Sequence, residues 1–184
     1  MEGSMNKTHE RTLQMVITAM MVALIFIFSR FLGINTDVLH LGFDFLPIVV
    51  IGCLYGPVWA CVTAIIGDLV CAIGMPIGMI NPGITVMAGL IGLTFGLAFY
   101  KRKLSGGKLI AVTAIASLIV SGVIKLFGTT ACLAFAYGTP YMATLIARIP
   151  NCAVLFVIQM LTIPLIYKFV VVPVSRKVLG QNMY

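Results

Sequence analysis

The sequence predicts an all-α integral membrane protein: one bundle of six transmembrane helices with a pocket that opens outward. Two observations carry this. Of the 184 residues, 61% are hydrophobic and 9% charged, and the mean hydropathy is +1.13, whereas soluble domains carry about a quarter charged residues. No soluble core of this length hides so much apolar surface, so the expected solvent is lipid. The second observation is where the cations stand. Lys7 and Arg11 precede the first apolar run, Lys101, Arg102, Lys103 and Lys108 fill one connection, and Lys168, Arg176 and Lys177 lie near the end. Clusters of this kind mark the cytoplasmic side.

The apolar runs follow in order: 13–32, 46–66, 69–80, 84–100, 109–137 and 142–172. Residues 1–4, "MEGS", read as a cloning remnant ahead of a native start at Met5. The first run is long and lacks a small-residue cleavage site, which argues against a signal peptide. Taken as one helix, 46–80 would rise about 52 Å against a hydrocarbon core of about 30 Å. A split at Gly67-Asp68 gives one full span and one short one, with Asp68 as N-cap at a cytoplasmic turn. Connections 33–45, 81–83 and 138–141 hold no Lys or Arg. Four spans then separate the inside N-terminus from the inside 101–108 connection, and two more bring the C-terminus back inside.

The run "MPIGMINPGIT", 75–85, breaks two helices at their outer ends. Irregular backbone at membrane depth survives only where protein buries it or where it lines a cavity. It therefore reads as the rim or floor of the pocket. Gly78 and Gly83 allow close backbone approach there, Pro82 prevents regular winding, and Asn81 and Thr85 offer uncharged hydrogen bonds.

Three cations belong to no cytoplasmic cluster. Arg30 ends the first span, Lys125 lies about 25 Å up a regular helix from Lys108, and Arg148 is one to two turns inside the last span. Ionised residues in lipid face the bundle and find a partner. A snorkelling or internally paired side chain is one reading of each; a bound anion is the other, and Asp37 and Asp44 are the only acids expected within reach. Arg148, Cys152, Leu155 and Gln159 share one helix face, bordered by Asn151. Asn151 and Gln159 are binding candidates, with interhelical glue as the alternative. Thr139-Pro140 supplies the start of that helix. Ala19 and Ala23, four apart, suit close approach by another helix.

Other chemistry finds little support. Cys53, Cys61, Cys71, Cys132 and Cys152 sit in apolar stretches without CxxC spacing, and His9 and His40 are the only histidines. No metal site is expected, and the cysteines read as small hydrophobes. No Ser/His/Asp, Cys/His or HExxH set lies in the spans, so an enzyme is not expected. A standalone carrier would want a midplane acid or matching broken helices. No phosphate-binding GxxxxGK[ST] loop is present, and cytoplasmic flanks account for the +7 charge without nucleic acid.

Residues 46–97 resemble the S components of energy-coupling factor (ECF) vitamin transporters, and within them the folate-specific subunit. The motif residues are Pro47, Gly56-Pro57, Gly67-Asp68-Leu69, then Pro76, Gly78, Pro82, Gly83 and Thr85; the later "RIPNCAVLFVIQ" resembles that family's last helix. Two positions depart: Asn81 stands where a polar–aromatic residue is common and Met75 where phenylalanine is usual. The resemblance implies a folate-binding subunit in a bacterial cell membrane. It would serve an ATP-driven importer with a transmembrane coupling protein and two cytoplasmic ATPases, and it needs no cofactor of its own. It makes Ala19 and Ala23 candidates for the docking face. Folate carries two carboxylates suited to Arg and a ring system rich in donors and acceptors. Phe43, Phe127, Tyr137 and Tyr141 are candidates to stack on it, or are ordinary interfacial aromatics. Another vitamin remains the alternative substrate.

Overall fold

The computed structural model describes residues 2–31, 34–35, 40–75, 81–100 and 107–174. Pro76, Gly78, Asp37, the 101–103 cations, Arg176 and Lys177 lie outside them. Helix α1 runs Glu2–Arg30, followed by two-residue strands β1 (Ile34–Asn35) and β2 (His40–Leu41), paired antiparallel. Then come α2 (Phe45–Tyr55), α3 (Pro57–Gly74), α4 (Pro82–Phe99) and α5 (Gly107–Leu118). A π-wound segment, Ile119–Thr129, joins α5 to α6 (Thr130–Tyr137); α7 (Tyr141–Ile166) ends in a π turn, Tyr167–Val171. Among the described residues five helical spans are long and apolar enough to cross a membrane, and Phe45–Tyr55 is a shorter apolar helix. The count of six helical passes holds on that basis.

One boundary differs from expectation. The 46–80 stretch breaks at Gly56-Pro57, not at Gly67-Asp68. Gly56 has φ +96°, a conformation that glycine adopts without penalty, and Pro57 follows at the first helical position, where its missing N–H costs nothing. Asp68 is therefore no cap at a turn. It lies inside α3, within two turns of that helix's end at Gly74.

Burial explains why α2 is short. Nine of its residues, from Phe45 to Leu54, are buried, and it packs on α1, α3, α4 and α7. A helix apolar on every side belongs inside a bundle. The peripheral helices expose apolar residues instead, among them Ile73, Leu161 and Phe135, as a lipid solvent allows.

Helices in lipid gain little from the hydrophobic effect and associate through close packing. Three glycines on α4 supply it. A methyl group on Gly92 would strike the Ala60 carbonyl, one on Gly96 would strike the Pro57 backbone, and one on Gly89 would touch Ile65 at 3.0 Å. Gly52 of α2 meets the Gly96 backbone at 3.1 Å by the same measure. Beyond them Phe99 packs between Phe95 and Tyr167, with ring centroids 6.5 and 6.0 Å away.

Candidate binding site

Alternating helix directions bring the end of α1, the end of α3, the start of α4, the end of α6 and the start of α7 to one end of the bundle. Arg30, Phe43, Asn81 and Thr85 stand near that end, while Arg148, Asn151 and Gln159 follow about two, three and five turns down α7.

The first group ties α1, α3 and α4. Arg30 Nη2 donates to the Cys71 carbonyl at 2.7 Å, and its Nε is buried without a partner in the protein. Thr85 Oγ1 donates to Asp68 Oδ2 at 2.7 Å. Both Arg30 and Thr85 thus spend a polar contact on α3. The Asp68–Thr85 pair was missed in the sequence because its members are 17 residues apart on different helices.

The rim beside it is held by Asn81. Its Oδ1 accepts from the Gly83 N–H at 2.9 Å, an N-cap for α4 with Pro82 behind it, and its Nδ2 donates to the Cys132 carbonyl at 2.9 Å. That second bond joins α4 to α6. Gly83 allows a close approach of α6, since a β-carbon there would lie 2.7 Å from the Cys132 sulfur. Phe43 is half-buried and packs its ring against Phe45, centroids 6.4 Å apart.

The second group runs along α7. Helix α7 starts at Tyr141, with Pro140 at the cap position and the Thr139 and Thr144 hydroxyls 3.1 Å apart. Asn151, Cys152, Leu155, Gln159 and Ile163 are its buried face, as the helical offsets predicted. Arg148 stands one turn before, half-buried. Its Nε and Nη1 are buried with no partner, and so is Asn151 Oδ1. Pro150 lies between them inside the helix and has no N–H to give the carbonyl four residues earlier. Gln159 is 0% exposed; Ser121 donates to its Oε1 at 3.2 Å, while its Nε2 finds no partner. Lys125 is half-buried on the π-wound segment, four residues beyond Ser121, as Leu155 lies four residues before Gln159 on α7.

Buried polar groups in proteins are nearly always paired. A cation with two unsatisfied N–H directions, three residues from an unsatisfied amide oxygen on the same helix, has the chemistry of a receptor for a carboxylate or a similar anion. Sequence reasoning missed Ser121 and Thr130, the latter buried with its hydroxyl unpartnered. The spacing of Thr113, Ser117 and Ser121, four apart and all buried, was the available signal. Phe127 and Tyr137 are about half exposed, at 53% and 49%. On the outer surface of α1, Met15, Ala19, Ala23 and Ile27 form an exposed stripe at four-residue spacing. Among the described residues no group of three His, Cys, Asp or Glu side chains could hold a metal ion.

Comparison with known proteins converges on this architecture. The folate transporter FolT of Clostridium novyi (strain NT) is 30% identical over 107 residues, 58% of this chain and 62% of that one. FolT of Leuconostoc mesenteroides is 35% identical over 91 residues, 50% and 49% of the two chains. The aligned region thus spans less than two thirds of either relative. A crystal structure of FolT bound with folic acid superposes with a TM-score of 0.73 at 27% identity, covering 81% of this chain and 88% of that one. A structure of the S component of a bacterial ECF transporter superposes with a TM-score of 0.66 at 21% identity, covering 86% and 95%; this second likeness speaks to the fold. The model of the family described as ECF transporter, substrate-specific component, matches residues 13–167. Matched over most of its length, the chain belongs to the family of substrate-specific components of ECF transporters, multi-pass membrane proteins of transport.

Proposed function

We propose that the chain is a folate-binding S component, which takes folate from outside a bacterial cell and hands it to an ATP-driven importer. The observation that carries this reading is Arg148: a half-buried guanidinium whose Nε and Nη1 have no partner, three residues from Asn151, whose Oδ1 has none either. Its natural complement is a carboxylate, and the glutamate tail of folate has two. The FolT relatives and the folic acid-bound FolT structure support folate as the source of that carboxylate. Asn151 and Gln159 would meet the rest of the ligand from α7, with Asn81, Pro82, Gly83 and Thr85 at the rim and Phe43 beside it. The N- and C-termini would be cytoplasmic, as the positive flanks require. The exposed Met15–Ala19–Ala23–Ile27 stripe would dock on the transmembrane coupling protein. Two cytoplasmic ATPases would supply the energy. The role is binding and delivery, with no chemical step.

Titration calorimetry with folic acid tests the reading. Truncating one member of a buried charged pair typically costs about 2–5 kcal/mol, a thirtyfold or greater loss of affinity. Arg148→Ala should show that loss. Arg30→Ala should show much less, because the Arg30 guanidinium already bonds the Cys71 carbonyl. Unchanged affinity in a folded Arg148→Ala would remove the anion site, and a larger loss at Arg30 would move it toward α1. Mass spectrometry of small molecules that co-purify with the wild type distinguishes folate from another vitamin.

A further inference from the structure

The last part of α7 and the middle of the α5–α6 span are both wound with i→i+5 hydrogen bonds, yet their sequences differ in one respect. The π turn Tyr167–Val171 follows Pro164, whose missing N–H interrupts the α ladder. The segment Ile119–Thr129, "IVSGVIKLFGT", contains no proline. It is also 11 residues long, whereas π winding occurs mostly as single turns, often at functional sites. No proline accounts for it, although it holds the Ser121-Gly122 pair and Gly128, and it packs on α4 and on α7. Ser121 bonds Gln159, and four residues on from each along these antiparallel helices stand Lys125 and Leu155, with Cys152 a turn further.

The two ends of the segment are held differently. At Gly128 an added β-carbon would lie 2.6 Å from the Met87 sulfur of α4, while at Gly122 it would meet nothing within 4 Å. One end has the Met87 side chain close against its backbone and the other has room. Around the segment several buried polar groups lack partners: Ser117 Oγ before it, Thr130 Oγ1 after it and Gln159 Nε2 across from it. Unpaired polar groups are costly in a lipid-embedded interior, so this arrangement leaves hydrogen bonding unrealised that another winding could satisfy. Taking one residue out of a wide turn rotates one flank against the other by about 100°, enough to carry a side chain from one helix face to the next.

We propose that Ile119–Thr129 is a two-state element that rewinds toward α-helix and thereby moves Lys125 into and out of the anion site on α7. The inference rests on the reading of Lys125 and Arg148 as partners of the substrate's carboxylates. It adds a device by which the site could hold and release that group, pivoting on the Gly128–Met87 contact.

Hydrogen exchange resolved by residue tests it, in the protein without ligand first. Amides of 119–129 should exchange about tenfold or more faster than those of 107–118 in the same span; equal protection overturns the proposal. Deleting Gly122 removes one residue from the wide turn, and protection of the segment should then rise to that of α5. Continued fast exchange in the deletion variant also overturns it. Should that variant fail to fold, the wild-type comparison alone decides. Folic acid, added at saturation as judged by calorimetry, should slow exchange in 119–129; binding with no change there counts against the device. A wild type that binds no folic acid is a failure of the proposed function, and the ligand-free comparison still decides whether the segment opens.

Discussion

At Asp68 the chain places an acid inside a span, where ionisable groups are costly and take partners. The Thr85 hydroxyl on the neighbouring helix is one of them, at 2.7 Å. Replacing Thr85 with Val keeps the shape and removes a donor from a part-buried carboxylate, which costs about 1–3 kcal/mol. Thr85→Val should therefore lower the melting temperature in detergent, and Thr85→Ser should restore it. If Thr85 instead contacts substrate, its loss will appear in affinity with stability unchanged. The same residue shows what a single sequence conveys. Arg30, Lys125 and Arg148 were legible because the bilayer makes any isolated charge conspicuous, and the shared face of Cys152, Leu155 and Gln159, with Asn151 at its border, followed from helical spacing. What each polar atom bonds was not legible. The Asp68–Thr85, Asn81–Cys132 and Ser121–Gln159 bonds all join different helices, and no local pattern encodes which helices lie side by side.

Among the elements, α1 carries the clearest surface signal. Its Ile25 is buried against the bundle while Met15, Ala19, Ala23 and Ile27 face away from it. Small residues at four-residue spacing let a second helix come close. If that stripe is the docking face, Ala23→Leu should abolish folate uptake in cells that express the complete transporter and leave calorimetric affinity unchanged. Loss of both together would place the stripe within the fold of the S component itself. Element boundaries were harder to read than element existence. The Gly56-Pro57 break was visible as a dipeptide, but unbroken apolar sequence runs on both sides of it. The acid at 68 looked more like a water-facing turn than Gly56 did. Backbone geometry decides the matter, through the positive φ of Gly56.

For the whole molecule, the test is sidedness. With native cysteines replaced, a single cysteine at Asn35 or Thr139 should react with an impermeant maleimide added to intact cells, and one at Ser105 should react only after the cells are opened. Reaction at Ser105 from outside would overturn the six-pass topology. The number of helical passes was legible because it follows from hydrophobic run lengths, a quantity that the bilayer reads directly. The π winding was not, since Ile119–Thr129 holds no proline to mark it.

The glycine contacts between α3 and α4 bear on the thermal behaviour of the protein. Where Gly92 and Gly96 bring α4 onto the backbone of α3, the attraction is dispersion between groups that never leave a non-aqueous medium. Separating these helices within a bilayer transfers little apolar surface to water, and such transfer is the source of the large heat-capacity change of soluble proteins, about 12–15 cal/mol/K per residue. Scanning calorimetry in lipid nanodiscs should therefore find a far smaller heat-capacity step. A step of the soluble size would mean that the bundle comes apart into water. With little heat-capacity change, stability should decline almost linearly with temperature and lack the cold-side fall that curvature gives to water-soluble folds.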